Sequence, residues 1–145
     1  MNWRNPLFLG LILALPVFCA AASDGAAGVA VHDAWVRESP PGVAALAGYM
    51  VLRNHTSQRQ VLVAVSSPGF ESVMIHRTVV KNGVAGMVHE SQIALAPGAP
   101  LIFSPGGHHL MLMNPKRALR AGDRVVINLE FRGRLVLPVE FEVRK

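Results

Sequence analysis

From residue 29 onward, hydrophobic and polar residues alternate in short runs divided by clusters of Gly, Pro, Asn and Ser. A period of two broken by turn residues is the pattern of β-strands joined by tight connections. It predicts strands over 29–37, 48–54, 60–65, 70–80, 87–95, 101–103 and 108–113, with Trp35 as a core anchor in the first. Lys81-Asn82-Gly83 closes the long fourth run as a turn signal, and Ser66-Ser67-Pro68-Gly69 and Ala96-Pro97-Gly98 mark further turns. The last two strands read most clearly. Val125, Ile127, Leu129 and Phe131 alternate with Val126, Asn128 and Glu130. Leu135, Leu137, Val139, Phe141 and Val143 alternate with Val136, Pro138, Glu140 and Glu142, and Arg132-Gly133 between the two runs suits a tight hairpin. Pro138 on the outward face predicts an edge strand or a bulge. No segment keeps a 3.6-residue apolar period with caps. Eight or nine short strands at this spacing predict an all-β domain, a Greek-key sandwich or small barrel.

The start of the chain has a different character. Met1-Asn2-Trp3-Arg4-Asn5 is short and basic, residues 6–18 are an apolar run too short to span a bilayer comfortably as a helix, and Ala20-Ala21-Ala22 offers a small-x-small cleavage site. The expectation is a signal peptide over 1–22 cleaved near Ala22/Ser23, a flexible linker over 23–28 and one domain over 29–145. A lipid-modified Cys19 is the competing reading, but Pro16-Val17-Phe18 lacks the small residue expected just before such a cysteine. Cys19 is the one cysteine of the chain, so cleavage leaves a protein without disulfides and without a thiolate ligand. That excludes a blue-copper electron-transfer centre, whose defining ligand is a cysteine sulfur.

Charge adds little. Eight of the thirteen basic residues beyond the leader follow Met113, forming a face that could meet an acidic partner or anionic lipid but reads first as solvated surface. Nucleic acid is excluded as a partner, because the protein is exported and no aromatic residues interleave with the charges.

The candidate chemistry lies in Gly106-Gly107-His108-His109-Leu110-Met111-Leu112-Met113, two imidazoles and two thioethers behind a glycine turn. On a strand, His109, Met111 and Met113 share one face, and His108, Leu110 and Leu112 share the other. Thioether beside imidazole is a poor core filling and a good Cu(I) donor set. Methionine also stands two residues from histidine at Met74/His76 and at Met87/His89. Each of these pairs is same-faced on a strand.

His76, ten residues, Met87, twenty-one residues, His109, one residue, Met111: this spacing resembles the signature of the periplasmic copper chaperones that serve the CuA centre of cytochrome c oxidase, the PCuAC-like family. The resemblance extends over Asp33-Ala34-Trp35-Val36-Arg37, Pro40-Pro41-Gly42, Ala47-Gly48-Tyr49-Met50, Asn54 and residues 106–113. It implies a cupredoxin-like β-barrel in the periplasm that binds one Cu(I) per chain through His76, Met87, His109 and Met111. It also implies transfer of that ion to the CuA-bearing oxidase subunit, alongside or through a Sco-like thioredoxin-fold protein. A monomer is expected, with a copper-bridged dimer as the alternative. The chain ends at Phe141-Glu142-Val143-Arg144-Lys145, without the His- and Met-rich extension by which some relatives bind Cu(II). Met74, His89 and Met113 are neighbours that could substitute for a ligand, whereas His108 points away.

No Ser/His/Asp arrangement, HExxH, phosphate loop or CxxC occurs, and His32 beside Asp33 reads as surface, so the chain is read as a non-enzyme. Two other readings compete with the chaperone: a periplasmic copper-sequestering resistance protein without a dedicated acceptor, and a secreted β-sandwich interaction module with incidental His and Met.

Overall fold

The computed structural model describes residues 28–145; the expected leader over 1–22 and all but the last residue of the linker lie outside them. Ten strands follow in order: β1 (Val29–Arg37), β2 (Ala45–Asn54), β3 (Gln60–Ser66), β4 (Phe70–Lys81), β5 (Val84–His89), β6 (Ile93–Leu95), β7 (Pro100–Phe103), β8 (His108–Pro115), β9 (Arg124–Phe131) and β10 (Leu135–Arg144). They hydrogen-bond in the order β5-β4-β8-β7-β2-β1-β10-β9-β3-β6, with a further β8–β2 pairing. Leu52, Leu110 and Leu112 from one half and Leu62, Ile127, Leu129 and Phe141 from the other are fully buried in a single cluster. The sheet therefore folds over on itself around one core, the all-β domain expected from the alternation, in the cupredoxin-like form that the family resemblance implies.

Local sequence explains where the chain turns. Asn82 and Gly83 both have positive φ (52° and 75°), the requirement of a two-residue type I′ turn, and Lys81 pairs directly with Val84 across it. Gly48 lets β2 lie close to β8, since a Cβ there would sit 3.2 Å from Leu112 Cδ1 and 3.4 Å from Leu110 Cβ. Pro138 pairs with Asn128 of β9 in a part of β10 that β1, paired only over Trp35–Arg37 with Glu142–Arg144, leaves open. Its missing N–H costs no ladder bond there.

The structure departs from the sequence reading in four places. There are ten strands, because the run over 87–95 is two. Its first half belongs to β5, paired with β4, and its second is β6, paired with β3; these are the two ends of the strand order. Residues 90–92, which separate them, carry neither Gly nor Pro to signal the break. Trp35 is not a core residue. A bulge between His32 and Trp35, with Asp33 at φ 48°, turns Val36 inward. Trp35 stays half-buried against Tyr49 (ring centroids 4.7 Å apart), with the Arg144 guanidinium 6.0 Å from its ring centroid. The β9–β10 hairpin is tight, as expected, but takes in Arg134 as well as Arg132-Gly133, with Gly133 and Arg134 at positive φ. Finally, β2 begins at Ala45, three residues earlier than expected, because Ala45 and Ala47 pair with Met113 and Met111 of β8.

Much of the basic C-terminal third is paired at the surface: Arg117 with Asp123 (2.9 Å), Arg144 with Asp33 (2.7 Å) and Glu142 (3.1 Å), and Arg124 with Glu140. Exposed pairs of this kind contribute little stability each.

One buried polar residue stands out. Asn54 is 1 % exposed; its Nδ2 donates to Gln58 O (2.6 Å) and Leu95 O (3.1 Å), and its Oδ1 accepts from Thr56 N (2.9 Å) and Thr56 Oγ1 (2.7 Å). It folds the β2–β3 loop and ties down β6. Asn54→Ala leaves these buried partners unsatisfied and should lower stability by about 2 kcal/mol, seen as an earlier urea midpoint with an unchanged slope. A shift under about 0.5 kcal/mol would show that the loop holds itself.

Candidate metal centre

Strands β5, β4 and β8 lie side by side and carry every candidate donor. On the inner face, Val73 and Ile75 of β4 and Leu110 and Leu112 of β8 enter the core. Alternation then sends Met74, His76 and Thr78 of β4 and His109, Met111 and Met113 of β8 to the outer face. Register aligns them in rows. His76 pairs with His89 on one side and His109 on the other, so three imidazoles cross three strands in one line. Met74 pairs with Met111 in the next row and Ser72 with Met113 in the one beyond; Thr78 pairs with Met87 on the other side of the histidines. Same-faced rows along a strand are about 6.8 Å apart, within reach of a methionine side chain on either side.

The structure brings His76 and His109 together, with ring centroids 5.9 Å apart and the rings near perpendicular at 74°. Met111 flanks that pair. Met87 shares the face but sits on the free edge strand and is 64 % exposed. Two donors outside the expected set are as well placed: His89, 5.6 Å from His76 between centroids, and Met74, directly opposite Met111. The two-residue spacing of Met74 from His76 and of Met87 from His89 marked them as same-faced neighbours, but only the pairing register shows that His89 lies directly across from His76.

The imidazoles are prepared for coordination. His109 is only 6 % exposed, and its Nδ1 lies 3.1 Å from Gly107 O. A carbonyl can only accept, so the proton is on Nδ1 and the Nε2 lone pair is left free for a metal. The same carbonyl accepts the Thr78 N–H at 3.1 Å, which anchors the ring to β4. His76 Nδ1 is buried and has no hydrogen-bond partner, so a bond to a metal would satisfy it. Burial first, then the neighbouring His109 and His89, hold the His76 pKa below its ordinary 6.5, favouring the neutral form that binds metal.

Among the described residues, no three His, Cys, Asp or Glu side chains group closely enough to hold a metal. Met74, Met87 and Met111 place thioether sulfur on the same face as the imidazoles, a donor set suited to soft Cu(I) more than to zinc, magnesium or calcium. His108 faces the other way, as its parity requires. Its Nε2 lies 3.0 Å from Glu90 Oε2, while Arg77 Nε donates to Glu90 Oε1 at 3.0 Å. With Glu90 N donating to Ile75 O at 2.9 Å, these contacts hold the end of β5 against β4 and β8.

The comparisons with known proteins agree with this architecture. The family described as "Putative lipoprotein LpqE-like" matches residues 29–143. A putative lipoprotein of Leifsonia xyli subsp. xyli is 32 % identical over 136 residues, spanning 93 % of this chain and 81 % of that one. The Cu(I) form of DR1885 from Deinococcus radiodurans, solved in solution, superposes with a TM-score of 0.64 at 32 % identity, covering 79 % of this chain and 76 % of that one. The copper-bound PCuAC domain from PmoF2 shares the fold, with a TM-score of 0.68 at 22 % identity over 81 % of this chain and 92 % of that domain. With its ten strands, its outer-face histidine and methionine rows and a match spanning residues 29–143, the chain belongs to the LpqE-like, PCuAC-like family.

Proposed function

We propose that this protein is an exported, periplasmic Cu(I) carrier that binds one ion per chain and delivers it to the CuA site of cytochrome c oxidase, alongside a Sco-like protein. The observation that carries the copper reading is the outer face of β4 and β8. There the free Nε2 of His109 lies beside His76 and is flanked by Met111, with no thiolate and no carboxylate in the row. His76, His109 and Met111 form the core of the set, and Met87 completes it from the edge strand. The Cu(I) form of a 32 % identical structural relative supports the choice of metal, and the lipoprotein description of a 32 % identical relative supports export. A carrier is favoured over a catalyst because the donors are the soft, neutral ligands that hold Cu(I), and the chain shows no catalytic sequence motif beside them. Delivery is favoured over storage because one ligand, Met87, is open to solvent, where an acceptor can reach it.

The first test is an anaerobic Cu(I) titration, against a chromophoric chelator, of the chain from Ser23, which includes all ten strands and the whole described core. One equivalent should bind tightly. His109→Ala combined with Met111→Ala should weaken it at least about 100-fold, equivalent to roughly 2.7 kcal/mol. A wild-type protein that fails to compete with the chelator would leave a β-sandwich with incidental His and Met.

Acidity gives a second test. Thioethers do not titrate, whereas each imidazole must be neutral to bind, so affinity should stay level above neutrality and fall below about pH 6. The lowered pKa of His76 keeps that ring neutral further into acid than an ordinary histidine. The same depression means that the unfolded chain takes up this proton first. Stability of the metal-free protein should therefore decline as pH falls from 6.5 through the lowered value. Isothermal titrations and urea melts across the pH range read both effects; a steep loss of Cu(I) affinity between pH 8 and 7 would contradict the ligand set.

A further inference from the structure

The histidine row has a symmetry that the four-ligand set does not use. His76 is flanked by two imidazoles in nearly equivalent geometry, His109 at 5.9 Å and 74° and His89 at 5.6 Å and 78°. Each gap has its own thioether: Met111 beside His109 on β8, and Met87 beside His89 on β5. Exposure rises in one direction across the row. His109 is 6 % exposed, His76 is half-buried, and His89 and Met87 are exposed, Met87 by 64 %. Among the described residues no strand follows beyond β5, and every residue of β5 is exposed. His89 is nevertheless held in place, because Glu90 immediately after it is anchored to Ile75, Arg77 and His108.

We propose that His89, with His76 and Met87, forms an outer Cu(I) position through which the ion passes between its inner position and an acceptor. The inference rests on the copper reading above and adds a second place on the same face. In the exchange, the dative bonds from His109 Nε2 and the Met111 sulfur break and one from a His89 nitrogen forms, while His76 and Met87 remain bound. Copper stays Cu(I), every ligand stays neutral, and no electron or proton moves. The His76 and Met87 side chains swing with the ion toward the edge strand, so that it passes from a buried histidine to an exposed one. Thiolates of an acceptor approaching the edge then replace the three outer donors one at a time, so the ion is never released bare into water.

The test separates holding copper from handing it over. Cu(I)-loaded protein is mixed anaerobically with excess bathocuproine disulfonate, and transfer is followed by stopped-flow absorbance for wild type, His89→Phe and His89→Met. His89→Phe keeps an aromatic ring on an exposed strand position but removes its nitrogens. It should slow transfer at least about tenfold while leaving equilibrium affinity within about threefold. His89→Met restores a soft donor and should recover the wild-type rate to within about threefold; a merely structural role for the imidazole would not predict that rescue. In the loaded wild type, the ring ¹⁵N shifts of His89 should lie between free and coordinated values, with those of His109 near the coordinated one.

Transfer by His89→Phe at the wild-type rate would overturn the outer position. So would an affinity loss as large as that of His109→Ala, since His89 would then be a resting ligand. Failure of the wild type to bind Cu(I) at all is a different result, which removes the copper reading before transfer can be measured.

Discussion

The pairing register of β4 against its two neighbours decides what the outer face of this domain can do. His76 faces His89 on one side and His109 on the other. Side chains alternate with a period of two, so a slip of one residue in the β4–β8 pairing would send His109, Met111 and Met113 inward and Leu110 and Leu112 outward. Burial of those two leucines, both fully inaccessible, opposes that slip by about 2 kcal/mol each. On the other side the lock is conformational. Asn82 and Gly83 both take positive φ, and a two-residue turn admits a single register. The donor rows thus follow from an apolar core behind them and a turn at one end, neither of which touches a metal.

A row of imidazoles on a sheet has a cost, and its placement limits that cost. Three neighbouring histidines cannot all protonate without repulsion, which is one reason His76 is held below its usual range. Burial of the row is graded: His109 is the most deeply covered and its Nδ1 donates to Gly107 O, while His76 Nδ1 is buried without a hydrogen-bond partner. That carbonyl is available because the glycine turn before β8 returns the chain alongside β4, where Thr78 also donates to it. The turn that starts β8 therefore also orients the His109 ring. Glu90, Arg77 and His108 act on the opposite face, where they restrain the edge strand without placing a carboxylate among the soft donors.

How much of this was legible in the sequence depends on the distance between the residues involved. Which side His109, Met111 and Met113 share, and that His108 opposes them, follows from alternation alone. The β4–β5 register was also within reach. Asn82-Gly83 names a type I′ turn, and counting back equal distances from Lys81 and Val84 pairs His76 with His89. Beginning the fifth strand at Met87 instead of Val84 hid that pairing. The β4–β8 pairing could not be counted in this way, because β5, β6 and β7 intervene and nothing local selects the partner of β4. The spacing shared with a known family supplied His76 and His109 together where local physics could not. Trp35 failed for the opposite reason: alternation was followed through a bulge at Asp33 that no glycine or proline announces.

The donor set also bears on which way copper moves. Imidazole and thioether are neutral, so a bound Cu(I) keeps its full positive charge in a site with no carboxylate in its row. Water at the exposed edge screens part of that charge, which limits the cost of moving the ion outward from its inner position. An acceptor offering two thiolates neutralises the charge and supplies softer donors, so equilibrium favours transfer away from this chain. A thiolate in the carrier would remove that difference, and the domain from Ser23 onward contains none. Buried imidazole at one end of the row and exposed thioether at the other then serve distinct purposes. On the proposed function, the buried end would keep the ion from water and oxidant, and the exposed end would allow a stronger ligand to begin the exchange while two bonds to the carrier still hold.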